Sequence, residues 1–274
     1  MIYPYLIYNT NMLEGIILGI IQGVAEWLPV SSEGLIVLVQ VNFFGGDNLS
    51  LLIKNALLLH LGTFLAALIY FRKDVWQLLK TLFSFKQATA EQQSILRFLI
   101  ITTILSGIIG FLIIQALENI SVNLNNFSKI TTALIAALLF ITAGLQLRSD
   151  PSGVRQAGDI KNCDTYWLAL AQGLAALPGL SRSGLTVAAL LLRNFDKIWA
   201  LKLSFLMSLP IVLVGNIVLN FNVALFTTTM WWGLLFSFIS GLITIDLLLR
   251  LARRINFGYF VLTFAFITLA AVFI

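Results

Sequence analysis

Five runs of the chain, 55–71, 98–117, 130–147, 203–245 and 255–274, carry no charged side chain and no proline–glycine turn. An ion at the centre of a bilayer costs a few kcal/mol or more, so charge-free stretches of this length mark candidate crossings. At about 1.5 Å per residue, roughly 20 residues span a hydrocarbon core of about 30 Å. The run 203–245 is too long for one helix, and Asn220, Asn222 and Thr227, Thr228 and Thr229 mark a turn inside it. Six membrane spans are therefore expected.

Composition agrees. Only 11% of the 274 residues are charged while 59% are hydrophobic, too few charges to cover a water-exposed surface. Soluble enzymes, disordered tails and secreted disulfide scaffolds are excluded. A single cysteine, Cys163, forms no intramolecular bridge, and a single histidine, His60, excludes a histidine-rich metal cage. Any metal must be held mainly by oxygen. The first basic residue is Lys54, so the N-terminus lacks a signal-peptide pattern and the whole chain is read as mature.

Two further apolar stretches are interrupted. Residues 13–45 are broken by Glu26, Pro29, Ser31, Ser32, Glu33 and Gly34, and 165–192 by Pro178, Gly179, Ser181, Arg182, Ser183 and Gly184. Such breaks free backbone groups that hydrocarbon cannot satisfy, so both read as re-entrant hairpins set against protein or a wet cavity. Threading six spans and two hairpins puts Arg72, Lys73, Lys80, Lys86, Arg97, Arg148, Arg155, Lys161, Arg193, Lys197, Lys202, Arg250, Arg253 and Arg254 on one face. Only Lys54 and Lys129 fall on the other. The net charge of +5 is thus a cytoplasmic loop signal rather than a nucleic-acid footprint, and both termini and the first hairpin face outward.

The hairpins resemble each other at an offset of 150. Gln22-Gly23-Val24-Ala25 recurs as Gln172-Gly173-Leu174-Ala175, and Val30-Ser31 with Gly34 recurs as Leu180-Ser181 with Gly184. Three crossings separate the copies, so the repeat is inverted, with halves at about 13–147 and 165–274 and a polar linker at 148–164 in one membrane domain, 1–274. Inverted repeats with broken helices place their site near the midplane. Close helix packing explains the glycines, but not the buried ions.

Glu26 inside an apolar hairpin must be paired, metal-bound or wet. Gln22, one turn earlier, shares its face. The turn Pro29-Val30-Ser31-Ser32-Glu33-Gly34 offers hydroxyls and free N–H groups, with a helix expected to start near Ser32, and a capped helix N-terminus is an anion site. Arg182, permanently cationic and fork-shaped, suits a phosphate. Two readings stay open: a pocket for a phosphorylated group, or an Arg182–Glu26 salt bridge that holds the hairpins together.

The stretch from Gly19 through Gln22, Glu26, Pro29-Val30-Ser31-Ser32 and Gly34, with Pro178-Gly179-Leu180-Ser181-Arg182-Ser183-Gly184, resembles the undecaprenyl-diphosphatase family, also called the bacitracin-resistance protein. The segments Ser204-Phe205-Leu206 to Pro210 and Arg254-Ile255-Asn256-Phe257 extend the likeness over nearly the whole chain. The resemblance implies a phosphatase that converts a C55 isoprenyl diphosphate to the monophosphate and so recycles the lipid carrier for cell-wall polymers. It would act in the inner (cytoplasmic) membrane with its active site on the outer side. It further implies Glu26, Ser32 and Arg182 as catalytic residues, with Gln22, Ser31, Ser181, Ser183 and Gly184 binding substrate. Glu26 and Gln22 would hold a divalent cation, Mg²⁺ or Ca²⁺. Partners would be the polyprenyl diphosphate and membrane lipid, no nucleic acid is expected, and a homodimer is left open.

One departure stands out: where the family usually has histidine after the turn, this chain has Leu35. Three readings follow. Metal-assisted hydrolysis proceeds without the imidazole, or His60 or Glu33 serves as an auxiliary group in its place, or the activity is lost or changed. A polyprenyl-phosphate transporter or flippase is the alternative that inverted repeats also allow. Asp246 and Arg250 read as an interfacial pair, Glu14, Glu118 and Lys129 as span-end charges, and Trp231 and Trp232 as an aromatic belt.

Overall fold

The computed structural model describes residues 3–45, 49–119, 127–148, 153–177, 179–219, 227–251 and 257–270. Among them are eleven α-helices and no strand: α1 (Tyr3–Ala25), α2 (Ser32–Phe43), α3 (Leu49–Tyr70), α4 (Arg72–Phe83), α5 (Ala90–Asn119), α6 (Phe127–Arg148), α7 (Asn162–Leu174), α8 (Arg182–Leu192), α9 (Lys197–Leu219), α10 (Thr228–Leu251) and α11 (Phe257–Ala270). Four contain stretches long and apolar enough to cross a membrane, Leu51–Tyr70, Ala90–Ala116, Lys197–Val218 and Thr228–Arg250. The protein is a multi-pass membrane protein, because helices are the structures that satisfy every backbone group within a single segment in lipid.

Helices α1 and α2 flank the first broken turn and α7 and α8 the second, and their bounds differ from the expected stretches in two places. The first arm begins at Tyr3 rather than near 13, because no charge or glycine stops the helix before Glu14. The second begins at Asn162, so Cys163 lies in a helical turn and not in the linker. The lysine at N-cap does little here; Asp164 accepts from the Lys161 N–H at 2.8 Å and fixes that start. Pro178, Arg253, Arg254 and the side chains of Glu118 and Lys129 lie outside the described residues.

Each hairpin's first arm packs against a long helix from the other half of the chain: α1 on α10, and α7 on α5. Small residues allow it. A Cβ on Gly23 would meet Gly241 N at 2.5 Å and Ser237 O at 2.7 Å, and one on Gly173 would meet Ile109 Cβ at 2.6 Å. These positions are equivalent in the repeat, so the same device positions Gln22 and Gln172. Polar side chains tie the other helices: Asn216 Nδ2 donates to Leu57 O at 3.0 Å and Ser237 Oγ to Leu59 O at 2.9 Å.

Trp27 anchors the first turn. It is fully buried, donates Nε1–H to Gly241 O at 3.1 Å, and meets Phe205 edge-on at 4.9 Å between centroids. Its neighbour Glu26 is thereby held in place at the start of the turn. At the face carrying the linker, Asp164 accepts from Arg155 Nη2 and Arg193 Nε, both at 2.6 Å, and Arg155 Nη1 donates to Arg193 O at 2.8 Å. This knot fastens the linker to both arms of the second hairpin. Asp246 and Arg250 pair at 2.8 Å as expected, with Tyr70 Oη donating to the same carboxylate at 3.1 Å, and Trp231 is exposed.

Candidate functional site

The chain leaves α1 at Ala25 through a turn that ends on Ser31, and leaves α7 at Leu174 through one that ends on Ser181. Each serine is the N-cap of the next helix and accepts from the N–H three residues on, Gly34 and Gly184, at 3.0 Å. The helix start expected near Ser32 is therefore present, and a second begins at Arg182. The turns also touch. Gly179, at φ +106°, where only glycine sits without strain, donates its N–H to Ser31 Oγ at 3.0 Å, and Ser183 Oγ donates to Leu28 O at 2.7 Å.

Glu26 sits where the turns meet, buried, and gathers donors on both oxygens. Oε2 accepts from Gln22 Nε2 at 2.9 Å and Ser32 Oγ at 2.8 Å, with His60 Nε2 at 3.1 Å. Oε1 pairs with Arg182 Nη2, whose other terminal nitrogen donates to Ser204 O at 3.3 Å. His60 Nδ1 lies 2.7 Å from Ala56 O. Both ring nitrogens thus face acceptors, and an Nδ1–H suits the carbonyl.

Glu26, Ser31, Ser32, Glu33, His60, Ser181, Arg182 and Ser183 line one polar cavity of about 40 Å³, room for a few waters and not for a diphosphate. Beside it runs a groove of about 470 Å³ walled by Ile104, Ile108 and Phe111 of α5 and Ile211, Val214 and Val218 of α9. Glu33, His60, Ala175 and Arg182 border both spaces.

Several expectations thereby acquire positions. Glu26, Ser32, Arg182, Gln22, Glu33 and His60 converge. Ser31 and Ser181 are spent on capping, Ser183 on the opposite turn, and the Gly184 carbonyl accepts from Gln146 Nε2 at 2.5 Å. Leu35 does not line the polar cavity; it packs in the apolar cluster with Ile135, Leu139 and Val261. Two residues gain a place at the site only in the structure: Ser204, read in the sequence merely as part of the family likeness, whose carbonyl accepts from Arg182, and Thr186, whose hydroxyl meets Ser204 Oγ at 2.6 Å. A Thr one turn after the arginine was the available signal.

A divalent cation fits this site only as a shared ligand. Among the described residues no group of three His, Cys, Asp or Glu stands ready for a metal. Yet Gln22 Oε1 is buried without a partner, and next to a carboxylate such an oxygen suits a hard cation whose other ligands come from phosphate and water.

Residues 15–270 match the family described as bacitracin resistance protein BacA. A protein of Methanococcoides burtonii named undecaprenyl-diphosphatase is 42% identical over 91% of this chain and 94% of its own. Proteins of the same name from Methanothrix thermoacetophila and Thermosipho africanus are 35% and 33% identical, covering 95% and 93% of this chain and 96% and 98% of theirs. These likenesses lend no support to the transporter or flippase alternative.

Proposed function

The chain belongs to the bacitracin resistance protein BacA family, and from that premise we infer that it hydrolyses undecaprenyl diphosphate or a related polyprenyl diphosphate to the monophosphate, recycling a lipid carrier. The observation that carries this reading is the border between the two cavities. Glu33, His60 and Arg182 face a polar chamber on one side and an apolar groove on the other, as a charged headgroup on an isoprenoid tail requires.

In the resting arrangement Glu26 occupies the guanidinium that a phosphate would take. Substrate enters by displacing that carboxylate, and Arg182 then grips the terminal phosphoryl oxygens. Ser32, whose hydroxyl points at Glu26, supplies the attacking oxygen or holds the water that does. That oxygen bonds to the terminal phosphorus as the bond from phosphorus to the bridging oxygen breaks, the polyprenyl monophosphate leaves, Glu26 accepts the attacker's proton, and a phosphoserine, if Ser32 attacks, is then hydrolysed by water. His60 steadies Glu26 from α3 and provides the imidazole that Leu35 does not. Phosphoryl transfer asks for little more than such positioning and charge neutralisation. Glu26 and Gln22 Oε1 would hold a divalent cation, Mg²⁺ or Ca²⁺, which when bound neutralises diphosphate charge.

The membrane arrangement we favour adds α6 and α11, with described apolar stretches at 132–148 and 261–270, to the four long helices. That makes six spans and two re-entrant hairpins, α1–α2 and α7–α8, in an inverted repeat. The basic loops face the cytoplasm, and the site opens towards the outer leaflet of the cytoplasmic membrane. The deciding assay is phosphate release from C55 diphosphate by the purified chain in lipid vesicles. Release abolished in Arg182→Ala supports the reading, and full turnover in that variant removes it.

A further inference from the structure

Helix α4 lies between two candidate spans: Leu51–Tyr70 ends two residues before it, and Ala90–Ala116 starts seven residues after it. It is amphipathic in three sectors. Val75 and Leu78 pack on the main apolar cluster, Thr81 is buried, and Asp74 pairs with Lys202 Nζ of α9 at 2.7 Å. That contact side fixes the helix's rotation. On a wheel of 100° per residue the outward side then divides in two. Trp76, Leu79, Leu82 and Phe83 fill an arc of about 120°, with Leu82 at its edge beside the contact side and Arg72 of the first turn within it donating back to Ile69 O at 3.3 Å. All four apolar side chains stand exposed, Trp76 at 61% and Phe83 at 86%. Lys73, Gln77 and Lys80 fill the next arc, also exposed.

Lys80 Nζ lies 5.5 Å from the Trp76 ring centre, so the charge sits at the seam of the two arcs rather than across the helix. Two further basic residues follow the helix in sequence, Lys86, which is exposed, and Arg97, 5.0 Å over the Phe85 ring. Four large apolar side chains on a helix joined at both ends to membrane spans have lipid beside them, and the flanking positive strip matches a negative surface.

We propose that α4 lies in the headgroup layer of the bilayer, with Trp76, Leu79, Leu82 and Phe83 in the acyl region and Lys73, Lys80 and Lys86 binding anionic phospholipid headgroups. The occupant of this face is the anionic lipid surface of the protein's own membrane. The inference is independent of the catalytic reading, since no residue of α4 borders either cavity of the site.

The test uses the full chain in vesicles of phosphatidylcholine with one quarter phosphatidylglycerol. In a Cys163→Ser background, nitroxides are attached singly at Leu79→Cys, Leu82→Cys and Gln77→Cys. Collision with oxygen is expected to exceed collision with a water-soluble nickel chelate at 79 and 82, and the order to reverse at 77. Labels at 79 and 82 open to nickel, or shielded from both reagents as under a second protein copy, overturn the proposal. Phosphatidylglycerol retained per chain is then counted by native mass spectrometry. The Lys73→Gln/Lys80→Gln/Lys86→Gln variant is expected to lose at least half of it, and unchanged retention overturns the headgroup contact.

Discussion

Glu26 and Arg182, 156 residues apart in the chain, form an ion pair inside the protein. The pair bears out the salt bridge that the sequence allowed between the two broken turns; under the proposed function it would also keep the Arg182 guanidinium in place until a phosphate arrives. Breaking one side leaves an uncompensated buried charge, at about 3–5 kcal/mol. Arg182→Gln and Glu26→Gln should each lower the thermal midpoint and abolish phosphate release. The double variant should recover much of the midpoint and none of the release. Thermal melts in detergent with a phosphate assay check this, and additive losses of stability would contradict it.

His60 reaches Glu26 from α3 and should matter to the chemistry more than to the fold. His60→Ala is expected to cut kcat by roughly 10²-fold or more, the scale of one acid–base group, with little change in melting. Leu35→His should restore nothing, since position 35 faces the apolar cluster. Recovery of activity in the double variant His60→Ala/Leu35→His would show that the cavity assignment is wrong.

The cation is tested by its removal. A chelator should suppress phosphate release, and added Mg²⁺ or Ca²⁺ should restore it. Gln22→Glu, which adds an ionised oxygen beside Glu26, should shift the cation dependence to lower concentration, and an unchanged titration would take Gln22 out of the ligand set.

Gly23→Val should disrupt α1 against α10. The nearest atoms to a new Cβ are backbone and a short hydroxyl, none able to move aside, so overpacking of about 1–3 kcal/mol is expected, or more. Because α1 ends one residue before Glu26, turnover should fall with stability. A melting midpoint equal to that of the unaltered protein would argue against the close approach.

The linker knot sets an acid limit. Burial pushes the Asp164 carboxyl up, but hydrogen bonds from Arg155, the Lys161 N–H and Arg193 outweigh it and hold the group below its ordinary value. A depressed carboxylate stabilises fully above its unfolded value of about 3.9 and loses that stabilisation as pH falls towards the folded value. The midpoint should therefore decline below about pH 4. Asp164→Asn should lie lower at neutral pH and be flatter through that acid range, as melts across pH 3 to 7 would register.

Much of this was legible because it is local or periodic. The caps at Ser31 and Ser181 follow from a serine ahead of an apolar run, and the convergence of Glu26 with Arg182 from the offset of 150 between hairpins. His60 touching Glu26 was not legible, because it depends on the rotation of α3 about its axis, which apolar residues on all sides leave undetermined. The commitment of Ser31 to Gly179 N and of Ser183 to Leu28 O was hidden for the same reason: a hydroxyl in sequence does not declare which of several carbonyls and amides it will meet. The early start of α1 escaped because a polar but uncharged segment, Tyr8-Asn9-Thr10-Asn11, reads equally as loop or helix.

The hydroxyl of Ser31 accepts the N–H of Gly179 in the opposite turn, so the two turns are stitched to each other by backbone as well as by the Glu26–Arg182 pair. Widening one turn alone would cost that bond; under the proposed function, room for a headgroup would come at least cost if both turns gave way together.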